Sequence, residues 1–202
     1  MRSQLLAFTA AELVAVVLAI AYLILVIRQN ILCWICAIVS SGIYVWLFID
    51  AKLYMESGLY LFYVGMACYG WWVWARGSRD NDDLPVVVWP WKVHVIAIAM
   101  VVGLALLAGS ILVRFTDAAF PYIDSLTTFS GVWATYLVAR KVLENWWYWL
   151  LIDLASIILY WQRDLELTAL LFVVYVLLIP VGLLQWHRSM SQLAAPDVQV
   201  AQ

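Results

Sequence analysis

The sequence predicts an all-α membrane protein: seven transmembrane helices in a 3+1+3 arrangement, with two parallel three-helix repeats joined by a linker helix. Three observations predict it. Hydrophobic residues make up 67% of the chain and charged residues only 12%, against about a quarter charged in soluble domains. The apolar residues gather into stretches near 5–27, 31–49, 57–75, 93–113, 125–142, 146–162 and 167–186, and crossing a bilayer takes roughly 20 of them. The last three stretches also repeat the first three at one fixed offset. Asn30 then matches Asn145, Trp34 matches Trp149, Ser41 matches Ser156, Trp46 matches Trp161, Tyr60 matches Tyr175 and Trp71 matches Trp186. Polar and aromatic residues are those a lipid-filling pattern has least reason to repeat.

The first stretch follows Arg2 and could be read as a signal peptide. It exceeds the usual h-region of about 7–15 residues and no small-x-small cleavage site follows, so it is read as a retained span. Glu12 lies a turn or two inside it. The second stretch opens after the break Arg28-Gln29-Asn30, and from Asn30 onward Trp34, Ile38, Ser41 and Val45 follow at helical spacing, which places all five on one face. Cys33 and Cys36 have redox spacing, but in an apolar helix outside any βαβ unit they serve as small apolar residues. The third stretch sets out Tyr60, Tyr63, Ala67, Gly70, Trp71 and Trp74.

The longest break, from Arg76 to Lys92, contains Asp80, Asp82 and Asp83. These lack the glycine and closing glutamate of a calcium loop, so the segment reads as solvated and no metal is expected. The fourth stretch has Gly103, Ala105, Ala108 and Gly109, small residues that favour close helix packing. Three helices are an odd number, so a single extra crossing is needed to give both copies the same orientation. This stretch fits that role as a plain connector.

The fifth stretch brings Thr127, Thr128, Gly131 and Thr135. The sixth concentrates polarity: Asn145, Trp149, Asp153, Ser156 and Tyr160 form one stripe. Polar groups within a span are costly and usually face a bundle interior. Asp153 stands where the first repeat has isoleucine, and no Lys or Arg lies mid-span to pair with it. A protonated or hydrogen-bonded structural acid remains the competing reading. The seventh stretch carries Tyr175, Ile179, Gly182, Gln185 and Trp186, with Pro180 where the helix can bend. The organisation is therefore 1–75 first bundle, 76–114 loop and linker helix, 115–188 second bundle, and 189–202 disordered tail.

Arg2, Lys52, Arg114 and Arg163 fall on one side of the membrane. Arg28, Arg76, Arg79, Lys92, Arg140, Lys141 and Arg188 fall on the other. The positive-inside rule makes the second side cytoplasmic, with the N-terminus outside and the C-terminus inside. The net charge of −2 and the lack of a basic patch give nothing for nucleic acid to bind.

Duplicated helix bundles are common in solute transporters, with the substrate held where the halves meet. The chain has 13 tryptophans. Those near span ends, such as Trp46, Trp89, Trp91, Trp161 and Trp186, suit the interface. Trp34 and Trp149 lie on the polar stripes, and indole faces attract cations by about 0.5–2 kcal/mol each. With Asp153 they suit a small, flat, positively charged molecule.

The run from Lys141 through Glu144, Asn145, Trp146, Trp147, Tyr148 and Trp149 to Asp153, with Leu53 to Ser57 and Tyr69 to Trp74, resembles the PnuC family of vitamin transporters over residues 10 to 188. The resemblance implies a 3+1+3 fold related to SWEET proteins, a homotrimer in the bacterial inner membrane, and uptake of nicotinamide riboside by facilitated diffusion. A cytoplasmic kinase would act downstream, without required contact. It also implies substrate contacts from Asn145, Trp146 and Trp149 in the sixth helix and from Trp71, Trp72 and Trp74 in the third. Relatives carry thiamine or riboflavin, and thiamine is also a flat cation, so both stay open. The full candidate set is Asn30, Trp34, Tyr60, Trp71, Trp74, Thr128, Asn145, Trp146, Trp149, Asp153, Ser156, Tyr175 and Gln185.

Other classes fit less well. A retinal photoreceptor needs a lysine in the seventh span, and 167–186 has none. An enzyme lacks materials here: His94 and His187 are far apart, and no phosphate-binding glycine loop or cofactor motif is present. A structural or signalling seven-helix protein leaves the one-sided carboxylate unexplained.

Overall fold

Seven α-helices appear in the computed structural model, which describes residues 2–50, 54–77, 84–116, 120–162 and 166–194. They are α1 (Arg2–Ile27), α2 (Leu32–Asp50), α3 (Tyr54–Gly77), α4 (Trp91–Phe115), α5 (Pro121–Ala139), α6 (Asn145–Trp161) and α7 (Glu166–Ala194). The chain divides into two compact units, residues 1–85 and 86–202. The expected linker helix α4 thus belongs to the second unit. The Asp80, Asp82 and Asp83 cluster, Lys52, Arg79, Arg163, the Glu12 side chain and residues 195–202 lie outside what is described.

Two helix ends differ from the sequence reading. Helix α5 begins at Pro121 and ends at Ala139, not near 125 and 142. Proline suits the first helical position because its missing N–H would have had no partner there. Helix α7 continues through residues 189–194, where the sequence suggested an irregular tail.

In the first unit α2 packs against both α1 and α3. The Ser40 hydroxyl donates to the Ala15 carbonyl of α1 at 3.0 Å, and Ser57 of α3 donates to the Val45 carbonyl of α2 at 3.3 Å. Such bonds between spans are worth about 0.6 kcal/mol on average. In the second unit α5 packs on α4 and α6, and α6 on α7. Buried Ala97, Ala105 and Gly109 form the ridge of α4, and a Cβ at Gly109 would overlap the Tyr122 ring of α5.

The turns between α1 and α2 and between α5 and α6 share one construction. Gln29 and Lys141 adopt positive φ, 55° and 50°. Gln29 N–H donates to Val26 and Asn30 N–H to Leu25, both at 2.9 Å. Lys141 N–H donates to Val138 at 3.0 Å and Val142 N–H to Leu137 at 2.9 Å. Each pair is a Schellman closure, with a left-handed residue satisfying the last carbonyls of the preceding helix. The chain re-enters a helix at once: Cys33 N–H donates to Asn30 at 3.0 Å and Asn145 N–H to Val142 at 3.2 Å.

The internal repeat therefore pairs Gln29 with Lys141 and Cys33 with Asn145, which moves the register read from the sequence by three positions. The aromatic contacts agree. Trp34 meets Trp74 edge-on at 5.5 Å and 87°, and Trp146 meets Trp186 at 5.5 Å and 87°. Tyr60–Tyr63 and Phe172–Tyr175 form a second T-shaped pair. A slip of three residues rotates a helix by about 300°, so much the same face is presented one turn away. That near-return is why the wrong register still aligned polar and aromatic residues.

Among the described residues two helices, Trp91–Phe115 and part of α7 (Ala169–Gln192), are each long and apolar enough to cross a membrane. Large apolar side chains lie exposed on every helix, for example Leu13, Ile35, Leu61, Leu107, Ile123, Leu151 and Leu177. Soluble monomers rarely expose apolar surface on that scale.

Candidate functional site

Five of the candidate residues lie in the first unit. Trp34 is buried in α2 because α3 presents Gly70 to it: a Cβ at Gly70 would overlap the six-membered ring. Tyr22 of α1, 6.1 Å away, and buried Trp74 complete its surroundings. The indole N–H of Trp34 is buried without a hydrogen-bond partner among the described residues. Asn30 is exposed at the turn, where its side-chain oxygen accepts the Leu32 N–H at 2.9 Å. That bond caps the start of α2. Tyr60 is half-buried between Tyr44, at 4.9 Å, and Tyr63. Trp71 is half-buried on α3.

The second unit holds the other eight. Trp146 is buried at the start of α6 against Gly182 of α7, as Trp34 is against Gly70. Its indole N–H also lacks a partner among the described residues. Neighbouring Asn145 is fully buried. Its amide nitrogen donates to the Val142 carbonyl at 2.7 Å, and its side-chain oxygen is left without a donor. Two turns on, Asp153 is 3% exposed, with no hydrogen bond or ion pair among the described residues. Ser156 is buried one turn further along, and Trp149 is half-buried between Asn145 and Asp153.

Helix α6 therefore carries an amide oxygen and an indole N–H that are buried and unmet, and a carboxyl group on a residue only 3% exposed. An unsatisfied buried polar group costs about 1–3 kcal/mol, and more when charged. Burial without partners is tolerated where a ligand or water supplies them. Thr128 on α5 is half-buried. Tyr175 packs on Phe172 at 5.6 Å, which in turn stacks on Tyr160 of α6 at 5.3 Å. Gln185 is exposed, while the adjacent Trp186 is fully buried.

The corrected register changes what the repeat says about the site. Asn145, Trp149, Asp153, Ser156 and Tyr160 now correspond to Cys33, Ala37, Ser41, Tyr44 and Phe48. The amide, the indole and the carboxylate of the stripe belong to α6 alone, while Ser41 and Tyr44 keep a hydroxyl at two of the five positions in α2. Sequence reasoning also missed a polar cluster at the start of that helix. The Trp89 N–H donates to Glu144 Oε2 at 3.4 Å, Glu144 Oε1 is 3.9 Å from His94 Nε2, and His94 Nδ1 is 3.0 Å from the Tyr148 hydroxyl. Its members come from two distant parts of the sequence, and no spacing rule joins them. A short strap accompanies the cluster: Val87 N–H donates to the Lys141 carbonyl at 3.0 Å, and Leu143 N–H to the Val87 carbonyl at 2.8 Å.

Comparison with known proteins gives this geometry a family. The chain is 27% identical over 201 residues to the riboflavin/roseoflavin transporter RibM of Streptomyces davaonensis, covering 95% of this chain and 91% of that protein. It is 21% identical over 168 residues to the nicotinamide riboside transporter PnuC of Escherichia coli, covering 71% and 70%. The crystal structure of the vitamin B3 transporter PnuC superposes with a TM-score of 0.72 at 20% identity, covering 91% of this chain and 83% of that one. The fold is shared with that structure. The profile described as nicotinamide mononucleotide transporter matches residues 9–188, and the chain belongs to that family of membrane transport proteins.

Proposed function

We propose that the protein takes up nicotinamide riboside by facilitated diffusion with alternating access. The observation that carries this reading is Asp153, a buried carboxylate in α6 with no protein counter-charge among the described residues. A pyridinium cation supplies that charge, and the half-buried Trp149 offers it a ring face. The unmet Asn145 oxygen and Trp146 N–H suit the hydroxyls of a ribose. The proposal includes the 3+1+3, SWEET-like arrangement of parallel repeats, supported by the turns and tryptophan pairs that recur in the corrected register. It also includes a homotrimer in the bacterial inner membrane, the N-terminus outside, and a cytoplasmic kinase that consumes the arriving substrate.

The second reading is riboflavin transport, favoured by the similarity to RibM over nearly the whole chain. Riboflavin is uncharged at neutral pH and gives Asp153 no counter-ion. Thiamine, a cation, stays within the first chemistry. Calorimetry on purified protein with the three vitamins side by side separates them. Tight binding of nicotinamide riboside is expected, and binding of riboflavin alone would overturn the counter-ion argument.

A further inference from the structure

Outside the polar stripe, the second unit contains a furrow that the transport reading does not use. It consists of two contiguous cavities of about 250 Å³ and 260 Å³ that share Ile98, Tyr148 and Leu151. One cavity runs along α4, α5 and α6 past Val102, Leu126 and Ala155. The other ends at His94, Glu144 and Trp147. We propose that this furrow holds one phospholipid bearing a primary amine, with the ammonium on Glu144 and an acyl chain along the apolar channel.

Four features point to that occupant. The channel wall is mostly apolar, with Ser130, Trp133 and Tyr148 as its other polar side chains, and the Thr127 hydroxyl on it is already turned back onto the Ile123 carbonyl at 3.0 Å. Its rims, Ile98, Val102, Leu126 and Leu151, are themselves exposed apolar side chains, so the furrow opens sideways toward hydrocarbon. From Glu144 to Ala155 the helix rises about 16 Å, close to half of the roughly 30 Å hydrocarbon core. That is the depth of one leaflet, the reach of one acyl chain. The polar end is lined by Trp147, 56% exposed, and Trp91, 69% exposed, opens α4 one turn before His94; exposed indoles mark headgroup level.

The mouth also selects the headgroup. Glu144 has no Lys or Arg in ion-pair range among the described residues, and its only ring partner is His94 at 3.9 Å. A carboxylate with a free acceptor favours an ammonium that can donate N–H bonds, and such charge-assisted bonds are the strong ones. A choline headgroup has no N–H to give, and an anionic headgroup is repelled. A helix of a second copy is about 10–12 Å wide, too broad for cavities of this volume. Lipid in this furrow depends only on the protein's place in a membrane and not on which substrate it carries.

The test is native mass spectrometry of the delipidated full-length protein, titrated in turn with phosphatidylethanolamine, phosphatidylcholine and phosphatidylglycerol of identical chains. One phosphatidylethanolamine per chain should be retained about tenfold or more over the other two, as a charge-assisted contact implies. Glu144→Gln should reduce that retention to the phosphatidylcholine level. Val102→Trp, which fills the channel, should remove retention of all three, and Ala155→Leu tests the same point from α6 should the first variant not fold. Equal retention of the three lipids, unchanged in Glu144→Gln, would mean annular lipid only and overturn the proposal. So would a channel-filling variant that changes subunit stoichiometry and leaves lipid retention intact.

Discussion

Gly70 and Gly182 offer the sharpest test of the packing. Each sits where a Cβ would overlap a buried tryptophan, Trp34 or Trp146, whereas Gly65, on the same helix as Gly70, has open space. Replacing a helical glycine by alanine gains about 0.8–1 kcal/mol of helix propensity. Overpacking a well-filled site costs about 1–3 kcal/mol. Gly65→Ala should therefore be neutral or stabilising, and Gly70→Ala should be worse than Gly65→Ala by about 1–3 kcal/mol. For a chain of this size that difference is roughly 2–12 °C in Tm, at about 2–4 °C per kcal/mol. Thermal unfolding in one detergent measures all the variants. Trimming the ring should relieve the clash, so Gly70→Ala in a Trp34→Phe background should cost less than in the parent, a coupling read from a double-mutant cycle. Gly182→Ala with Trp146→Phe should repeat the pattern in the second unit. If Gly70→Ala proves as stable as Gly65→Ala and the cycle shows no coupling, the tryptophan-on-glycine packing is wrong.

Three further outcomes are expected. Asp153→Asn should weaken a cationic vitamin by about thirtyfold or more, since removing one partner of a buried charge pair costs about 2–5 kcal/mol. Calorimetry checks this, and an unchanged Kd would sink the counter-ion role. Gln29→Gly should be neutral or stabilising and Gln29→Val destabilising by about 1–2 kcal/mol, because a β-branched residue fits the left-handed region poorly; chemical unfolding separates the two. Val87→Pro removes the donor to Lys141, so hydrogen exchange should quicken at the Leu143 amide of the strap; an exchange rate equal to that of the parent would mean that the strap is not formed in solution.

The helices were legible because lipid imposes a simple rule, a long apolar run between charged breaks, and all seven runs became helices. Ends governed by local backbone chemistry were less legible. Helix α5 stops three residues early because Lys141 takes a left-handed conformation, and the usual signal for that turn, a glycine, is missing. The repeat was visible but misregistered. Matching tryptophan to tryptophan along one helix cannot tell which of two near-superposable faces is meant. What fixes the register is Gly70 beneath Trp34 and Gly182 beneath Trp146, a contact between helices. Burial of Asn145, Asp153 and Ser156 followed from their spacing on one stripe. The His94–Glu144–Tyr148 cluster did not, because only the packing of α4 beside α6 joins it.

The corrected register separates what the two units share from what they do not. Shared are the Schellman turns, the tryptophan that enters each second helix, the glycine that receives it, and the T-shaped partner one turn beyond that glycine. All of these fill space or satisfy backbone, and they would be needed in a bundle that carried nothing. Unshared are Asn145, Trp149 and Asp153, whose counterparts are Cys33, Ala37 and Ser41. Packing gives no reason for that difference, since cysteine, alanine and serine fill the same place on α2 without a buried charge. An acid buried without a partner costs free energy, either as a desolvated charge or as the work of keeping it protonated. Only one of two equivalent helices carries it, so the cost does not come from building the bundle. A cationic solute that is bound and then released would supply the missing partner from outside the protein.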